Sequence, residues 1–457
     1  MELRRKIYDR LLEWKDASRG TRALLIEGAR RVGKSTIAER FGREQYRSHI
    51  MVDFNKAPKS VRDNFDNLDR PDVFFQNLSL AYNTRLYPRE TLIVFDEIQR
   101  FPRAREAVKY LVADGRYDFL ETGSLISIRE NVDGITIPSE ERKVKMHPLD
   151  FEEFALALGE ELLVEHIRSC WHGRTPLERP LHERAMRLFK EYLLVGGMPR
   201  SVVAYADGGR DFFAADVEKR DILELYRDDI KKAAKRYSSR VSGLFEQIPG
   251  YLSAHDKKVV LSEIKPDQRF SEYDDPLFWL GDSMMCNLCY RTTDPNVGFT
   301  LTSDPSSVKC YMGDTGLLVS HAFSESEITK SQLYRAIMDG KLALNRGMLY
   351  ENMIAQMLAA RGRKLYYYVR YNAEKHRNDI EIDFLLSNES KTGFKVYPIE
   401  VKSSKNYTAT SLGRFKELYA GRIAESFIVH PKQLVQGDGI IRIPPYMVFC
   451  MLEQLAQ

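Results

Sequence analysis

The sequence has few of the features that mark exported, membrane-spanning or disordered proteins. Its five cysteines are odd in number and scattered, so they do not make the even framework of a disulfide-stapled domain. No apolar run approaches the roughly 20 residues that a bilayer-spanning helix needs. The opening residues, MELRRKIYDRLLEW, are charged throughout, unlike a signal peptide. We therefore expect a cytoplasmic protein that has no membrane segment.

Charge is nearly balanced along the chain. Its 457 residues include 69 lysines and arginines against 65 aspartates and glutamates, for a net charge of +4. So small an excess argues against a protein that coats nucleic acid by charge alone, although it leaves local basic patches open. The length exceeds what one hydrophobic core usually supports, so we expect several domains.

A phosphate-binding motif occurs near the start, in GARRVGKST. Gly28, Gly33, Lys34 and Ser35 meet the pattern GxxxxGK[ST] directly after the apolar run ALLI. In such a loop backbone N–H groups surround phosphate oxygens, and the lysine reaches the outer phosphates. Glycine is needed because a Cβ would obstruct the turn or the ligand. The residues expected to hold the nucleotide are Gly28, Arg31, Gly33, Lys34, Ser35, Thr36 and Ser124.

The segment TLIVFDE supplies acids for the metal ion that accompanies a bound nucleoside triphosphate. Its continuous apolar residues are typical of a buried parallel strand, and Asp96 and Glu97 follow at the end. We expect Asp96 to hold Mg²⁺ together with the hydroxyl of Ser35. Glu97 is expected to polarise the attacking water, so Lys34 and Glu97 are the catalytic candidates of this region.

A third strand is predicted at 117–121, before the small polar residues Thr122, Gly123 and Ser124. Thr122 or Ser124 could contact the γ-phosphate, and a plain turn is the alternative. With a further strand at 49–54, strands and helices alternate over residues 1–150. That alternation predicts an α/β fold with a doubly wound parallel sheet.

Five segments taken together, GARRVGKS, LIVFDEIQ, ETGSL, HPLDFEEF and LLVGGMP, resemble a family of prokaryotic AAA-type ATPases. Members of that family carry a C-terminal domain of unknown function with a restriction-endonuclease-like fold. The resemblance covers nearly the whole chain and implies ATP binding and ATP hydrolysis. An arginine usually completes the transition-state charge in such ATPases, so Arg142 and Arg200 are candidates, each with a surface or structural role as the alternative. Relatives often oligomerise, so the resemblance also raises the question of a homo-oligomer.

The middle of the chain predicts two further parts. Residues 151–235 follow a helical pattern broken by the turn GGMP, which indicates a helical lid on the P-loop domain of residues 1–150. Residues 236–320 give two helices and then strands at 288–292 and 308–312, an order that suggests a winged helix, as the resemblance also does. Such modules bind DNA or merely join domains. Cys286 and Cys289 form a CxxC, but only the lone Cys310 lies nearby, which favours buried cysteines over a zinc site.

Residues 321–457 predict a further domain. The patterns give a helix at 348–361, strands at 364–370, 380–386 and 395–402, a helix at 411–419 and a strand at 426–429. This αβββαβ order is that of the core of the PD-(D/E)XK nucleases, which the segment resembles. Pro398 lies inside the third strand and lacks a backbone donor, so one side of that strand is expected to be free or irregular.

Acidic and basic side chains on these elements have the chemistry of a nuclease. Asp383 and Glu400 are expected to bind Mg²⁺ through oxygen, with Glu351 adding a contact from the helix. Lys402 would lower the pKa of an attacking water and is the catalytic candidate here. A Glu–Lys salt bridge at the rim of a sheet is the structural alternative, and domains of this fold can lose activity and persist as binding platforms.

Two functions of different classes follow. The leading one is an ATP-binding, ATP-hydrolysing switch, with ATP and Mg²⁺ as cofactors, coupled to a nuclease-like domain that binds or cleaves double-stranded DNA. The other is a nucleotide-dependent interaction protein whose nuclease-like domain is an inactive scaffold. A small-molecule kinase shares the P-loop but does not account for the adjacent acids Asp96 and Glu97 or for the helical lid.

Overall fold

The computed structural model describes residues 1–124, 139–234, 237–254, 257–259, 274–296, 298–323, 334, 337–338, 346–374, 376–390 and 393–455. The chain separates into two compact units. The first consists of residues 4–147 and 282–284, and the second of residues 1–3, 148–281 and 285–457. The finer division into four domains, with boundaries at residues 150, 235 and 320, stays a prediction.

The first unit is built around a parallel sheet. Its helices are α1 (Ile7–Ser18), α2 (Lys34–Gln45), α3 (Lys59–Asp63), α4 (Pro71–Ala81) and α5 (Pro102–Asp114). Its strands are β1 (Ala23–Gly28), β2 (Ser48–Asp53), β3 (Thr91–Asp96), β4 (Asp118–Gly123) and β5 (Glu141–Met146). All neighbouring strands are parallel, in the order β2-β3-β4-β1-β5. The parallel sheet expected from the alternation of strands and helices is confirmed, and β5 is an additional edge strand.

Both faces of this sheet are buried, which explains why its inner strands are apolar throughout. On β1, Leu24 and Ile26 pack in one cluster with residues of α1 and α2. Ala23 and Leu25 pack on the opposite face with residues of α3, α4 and α5. Because side chains alternate along a strand, the run ALLI supplies apolar groups to both layers. β1 therefore lies inside the sheet, and the loop after it opens at the carboxyl edge.

The second unit is larger. Its helices are α6 (Phe151–Ala157), α7 (Glu161–His172), α8 (Arg179–Val195), α9 (Pro199–Asp207), α10 (Phe212–Ala233), α11 (Ser238–Ser253), α12 (Asp274–Asp282), α13 (Thr315–Ala322), α14 (Arg346–Ala360), α15 (Thr410–Leu418) and α16 (Val448–Gln454). Its strands are β6 (Cys286–Thr292), β7 (Ser303–Met312), β8 (Leu365–Asn372), β9 (Arg377–Ser390), β10 (Gly393–Val401), β11 (Phe427–Val429), β12 (Val435–Gly437) and β13 (Ile440–Ile443). The order αβββαβ expected over residues 348–429 is confirmed by α14 to β11.

These strands form one eight-stranded sheet in the order β12-β13-β11-β10-β9-β8-β6-β7. β8, β9 and β10 are mutually antiparallel, and β11 is parallel to β10. β6 and β7 are the hairpin that the sequence assigns to a winged helix, but β6 also pairs in parallel with β8. The hairpin is therefore the edge of the C-terminal sheet and not a separate wing. The alternation of apolar and polar residues along a strand shows that one face of the strand is buried. It does not show which other strand pairs with it, so the pairing of β6 with β8 could not be predicted.

Pro398 marks an irregular side of β10, as expected. It lies opposite Leu385 of β9, whereas β11 begins to pair only at Ile399. Before that point, the backbone of Val396 exchanges hydrogen bonds with Arg422 and Ala424 in the loop that precedes β11. The missing N–H of proline thus faces a break in the ladder, where no strand partner requires it.

Candidate functional site

The loop between β1 and α2 has the conformation that its glycines predict. Gly33 has φ of +100°, a left-handed value that side chains rarely adopt. At Gly28 a Cβ would lie 2.5 Å from the backbone oxygen of Met146, so only glycine fits between β1 and β5. Arg31 is also left-handed, with φ of 68°, and its side chain is exposed. The loop is therefore held in a tight turn by backbone geometry.

Lys34 begins α2 and folds back over this loop. Its Nζ atom donates hydrogen bonds of 3.0 Å to the backbone oxygens of Gly28 and Ala29. The side chain is only 6 % exposed, so its ammonium group is buried at the turn and does not extend into solvent. A buried ammonium group at a helix N-terminus attracts anions, because the helix dipole and the free N–H groups act in the same direction.

Ser35, in the first turn of α2, meets Asp96 and Thr122 at the carboxyl ends of the neighbouring strands β3 and β4. The Ser35 hydroxyl donates to Oδ1 of Asp96 over 2.7 Å. The Thr122 hydroxyl donates to the same oxygen and accepts the backbone N–H of Glu97 at 3.2 Å. Burial raises the pKa of Asp96, although the hydrogen bonds from Thr122 and Ser35 lower it in part. The two expected metal ligands are thus in direct contact, and Thr122 holds the acid in place.

This arrangement suits a divalent cation. Mg²⁺ in nucleotide sites takes few protein oxygens and completes its shell with water and phosphate. The Ser35 hydroxyl and the Asp96 carboxylate are such oxygens, and both lie beside the phosphate-binding turn. The pair therefore fits the ion that the sequence predicts.

Glu97 follows in a left-handed conformation, with φ of 53°. Such a backbone is uncommon outside glycine and persists only where neighbours enforce it, which occurs often at functional sites. The amide of Gln99 donates to Oε2 of Glu97 over 2.5 Å. The sequence interpretation missed Gln99, although its place two residues after the acid was a usable signal.

The other residues predicted to contact the nucleotide, and the two candidate arginines, have less specific positions in the structure. Thr36 is exposed on the first turn of α2, and Ser124 follows directly after β4. Of the two hydroxyls that the sequence left open at this strand end, Thr122 is the one that contacts Asp96. Arg142 is exposed on edge strand β5, and in the second unit Arg200 lies 3.7 Å from Glu218. The assignment of a nucleotide-contacting arginine stays a prediction.

A second cluster of charges lines a cleft of about 450 Å³ in the second unit. Its walls include Glu351 of α14, Glu381 and Asp383 of β9, and Lys402 after β10. Glu381 and Asp383 share a face of their strand because side chains alternate with a period of two residues. The structure therefore gathers Glu351, Asp383 and Lys402 at one place, as the nuclease-like pattern predicts.

Glu400 and Lys402 form the remaining pair of this cluster. Their Oε2 and Nζ atoms lie 3.6 Å apart, and Glu400 is 1 % exposed. Burial raises the pKa of Glu400 to about 7, against the opposing effect of Lys402. Burial lowers the pKa of Lys402, but Glu400 and Asp383 raise it more, so the lysine remains charged. The pair matches the Glu–Lys salt bridge that the sequence analysis gave as the alternative to a catalytic role.

Two lysines of this cluster were not anticipated. Lys257, after α11, forms an ion pair with Oε1 of Glu351, and Lys309 of β7 lies 3.9 Å from Glu381. Lys309 is almost fully buried in the otherwise apolar end of β7, which is a signal that the sequence offered. Burial lowers the pKa of Lys309, but Glu351, Asp383 and Glu381 together raise it well above its ordinary value.

These contacts do not suit a metal ion. Oε1 of Glu351 is engaged by Lys257, and Oε2 accepts the Tyr311 hydroxyl at 3.3 Å. Oδ2 of Asp383 accepts the backbone N–H of Val401 at 2.8 Å. Within the described ranges, no three His, Cys, Asp or Glu side chains are placed to hold one metal ion together, which also applies to the CxxC of Cys286 and Cys289. The expected metal site of Glu351, Asp383 and Glu400 does not fit this geometry.

The described helices include none that is both long enough and apolar enough to span a bilayer. All five cysteines are buried and unpaired by disulfides.

Comparison with known families identifies the first unit. Residues 20–155, which contain the P-loop, Asp96 and Thr122, match the model of an AAA domain. This part of the chain is therefore similar to AAA domains, which bind ATP in the families the model describes. Residues 186–327 match a domain of unknown function, DUF8612, and residues 346–446 match another, DUF4143. No curated protein matches the chain.

Several solved structures are similar at low identity. AMPPCP-bound DnaA from Aquifex aeolicus is 10% identical, with 74% of this chain and 95% of that chain covered and a TM-score of 0.27. The ORC1 protein of Aeropyrum pernix in complex with DNA is 11% identical, with 71% and 93% covered and a TM-score of 0.26. PCH-2 of C. elegans is 11% identical, with 47% and 67% covered and a TM-score of 0.24.

Proposed function

We propose that this protein binds ATP with Mg²⁺ at the loop of residues 28–35 and hydrolyses it. The observation that carries the proposal is the contact of Ser35 and Thr122 with one oxygen of Asp96, beside a loop whose lysine is already folded inward. The match of residues 20–155 to an AAA domain supports the same reading. A buried turn with one ammonium group and free N–H groups selects a polyphosphate.

Each residue has a separate task in this proposal. Lys34 exchanges its two carbonyl contacts for phosphate oxygens when the nucleotide enters. Ser35 and Asp96 hold Mg²⁺, which neutralises charge on the phosphate oxygens when bound. Glu97 orients and polarises the attacking water, and Gln99 fixes the carboxylate of Glu97. Thr122 keeps Asp96 oriented from the neighbouring strand.

The second unit is proposed to contain a nuclease-like domain that binds or cleaves double-stranded DNA under control of the ATP state. Support comes from the αβββαβ order and from Glu351, Asp383 and Lys402 meeting in one cleft. The alternative is an interaction switch with an inactive scaffold in this position. The ion pairs of Glu351 with Lys257 and of Glu400 with Lys402 favour that alternative.

ATP turnover of Glu97→Gln tests the first part. The amide cannot accept a proton, so turnover should fall by about 10²-fold or more while ATP binding persists. Glu106→Gln, an exposed position on α5, is the matched control and should behave as the native protein. Native turnover in Glu97→Gln would contradict the assignment.

Duplex DNA retention in a gel-shift assay tests the second part. Lys402→Ala should weaken retention because it removes a charged group from the cleft, whereas Lys405→Ala, an exposed lysine nearby, should not. If both variants retain DNA as well as the native protein does, Lys402 and its cleft do not take part in DNA binding.

A further inference from the structure

Three carboxylates of the cluster, those of Glu351, Glu381 and Glu400, already have a lysine within 4 Å. Both oxygens of Glu351 are engaged, one by the ammonium group of Lys257 and the other by the Tyr311 hydroxyl. Glu400 has Lys402 at 3.6 Å. Mg²⁺ requires near-octahedral oxygen ligands at short distance and tolerates little deviation. A metal ion at this place would have to displace ion pairs that are largely removed from solvent.

Lys309 is the least expected member of the cluster. It projects from β7 with 1 % of its surface exposed, and its Nζ atom has no hydrogen-bond partner within the described ranges. Its surroundings are the ring of Tyr367, 4.8 Å from Nζ, and the carboxylates of Glu351, Asp383 and Glu381. An isolated buried ammonium group is very costly, so these carboxylates are what keep it charged in the fold.

The buried part of the cluster contains as many ammonium groups as carboxyl groups, and one of these acids, Glu400, has its pKa raised to about 7 by burial. The acids Glu351, Asp383 and Glu400 stand against the ammonium groups of Lys257, Lys309 and Lys402. Glu381, half-exposed at the rim, adds one negative charge near Lys309. A divalent ion would therefore leave the buried cluster with excess positive charge unless lysines moved away.

We propose that two ammonium groups take the place of a divalent cation here: that of Lys257, which lines the cleft, and that of Lys309, whose Nζ atom lies 3.9 Å from the cleft residue Glu381. The cleft would then hold the phosphodiester backbone of its ligand without a metal ion. This inference rests on the proposed nuclease-like domain and narrows its action from cleavage to binding. The lining of the cleft also includes Lys402 and the hydroxyl-bearing residues Ser403, Ser404, Tyr407 and Ser411. These are donors for phosphate oxygens, which require no metal.

The proposal is tested by measuring how many Mn²⁺ ions the full chain binds in the absence of nucleotide. The stoichiometry is measured by electron paramagnetic resonance for the native protein and for Asp383→Asn, whose side-chain oxygen can still accept the Val401 N–H. We expect the two stoichiometries to be equal, because Asp383 holds no ion. An additional Mn²⁺ in the native protein that Asp383→Asn loses would overturn the proposal.

Removal of a lysine gives the converse test. Lys257→Met leaves Glu351 without its ammonium partner, so Mn²⁺ should now bind and should raise the melting temperature. Lys258→Met, at the next residue, is the control and should gain no Mn²⁺ response. Lys309→Met should respond as Lys257→Met does. If Lys257→Met or Lys309→Met folds and shows no more Mn²⁺ stabilisation than the control, the lysines do not replace the cation.

Duplex DNA retention in EDTA separates this inference from the proposed function. Retention by the native protein that persists in EDTA and falls in Lys402→Ala supports metal-free binding. Retention that requires Mg²⁺ and is lost in Asp383→Asn contradicts it. If the native protein retains no DNA either with EDTA or with Mg²⁺, the proposed DNA-binding function and the phosphodiester ligand are both refuted. The Mn²⁺ stoichiometry then still shows whether lysines or a metal ion neutralise the carboxylates.

Discussion

The hydroxyl of Ser35 lies 2.7 Å from Oδ1 of Asp96, although the two residues belong to different strand-and-helix units of the sheet. β1 and β3 are separated by β4, and the carboxyl ends of all three strands open at the same edge. The contact therefore depends on strand order as well as on the two motifs. It joins the phosphate-binding loop to the acids through one shared oxygen.

Thr122 should matter for turnover more than Ser124. Thr122→Val keeps the shape of the side chain but removes the donor to Asp96 and the acceptor for the Glu97 N–H. Hydrogen bonds to charged groups contribute about 1.5–3 kcal/mol, so turnover should fall by roughly 10-fold or more with ATP binding retained. Steady-state turnover and ATP affinity are the measurements. A larger loss of turnover in Ser124→Ala would shift the role to that hydroxyl.

Asp96→Asn should stabilise the nucleotide-free protein while sharply reducing ATP turnover. Burial raises the pKa of Asp96 above its ordinary value of 3.8, so ionisation is less favourable in the folded state. That cost is absent at pH below 3.8, grows as pH rises from 3.8 to the raised pKa and is complete above it, so the asparagine variant gains most at neutral pH. Turnover should fall by about 10²-fold or more because the metal ligand is lost.

Melting temperature across pH and Mg²⁺-dependent ATP turnover check this prediction together. Asp63→Asn, at an exposed position on α3, is the control and should change neither quantity. An Asp96→Asn variant that melts lower than the native protein at neutral pH would contradict the account of the buried carboxylate.

Arg105 should be a major stabilising residue of the first unit. Its guanidinium group makes two hydrogen bonds with Glu141, at 3.1 Å and 2.9 Å, and both side chains are buried. Glu121 lies nearby, fully buried, and burial raises its pKa well above the ordinary value. Arg105→Met would leave Glu141 with only the partly exposed Lys143, at 3.7 Å, and should cost about 3–5 kcal/mol in the free energy of unfolding.

Urea denaturation measures this cost, with Arg103→Met as the control on the same helix. Arg103 pairs with Asp66 at an exposed position, so its loss should change stability by less than about 1 kcal/mol. Similar losses for the two variants would show that the buried pair is not specially stabilising.

His430 should make the protein acid-sensitive. Burial lowers its pKa from 6.5 to about 4, and its ring contacts the Tyr407 hydroxyl at 2.9 Å and the Gln433 backbone oxygen at 3.1 Å. A histidine held neutral contributes its full stability above pH 6.5 and loses it as pH falls towards 4, by up to about 3 kcal/mol. In denaturation curves from pH 7 to 4, His430→Gln should lose less stability than the native protein. His376→Gln, at an exposed position, should follow the native curve.

The P-loop site could be predicted in detail because its signals are local. Glycine spacing dictates the turn, the lysine and serine follow within the same helix, and Asp96 and Glu97 end an apolar strand. The sequence left two candidates, Thr122 and Ser124, because it does not show which of the two hydroxyl groups faces the end of the neighbouring strand. β5 was missed, since an edge strand reading ERKVKM is charged and lacks a continuous apolar run.

The acids of the C-terminal cluster and one counter-ion, Lys402, were predicted from the sequence, whereas the other two counter-ions, Lys257 and Lys309, were not. Glu351, Asp383, Glu400 and Lys402 lie on elements whose order the pattern revealed. Lys309 reaches them only because β6 pairs with β8 and brings β7 with it, a contact between segments more than 70 residues apart. Pairing of distant strands is determined by tertiary packing, and a periodic pattern does not contain it.

Direct binding of ATP to Lys34→Ala tests the central claim, that the loop of residues 28–35 holds a polyphosphate. Calorimetric titration should give binding to the native protein and to Lys59→Ala, an exposed lysine on α3. Lys34→Ala should bind ATP at least about 10-fold more weakly, because charge-assisted contacts with phosphate oxygens are lost. Equal affinity of Lys34→Ala and the native protein would contradict the account.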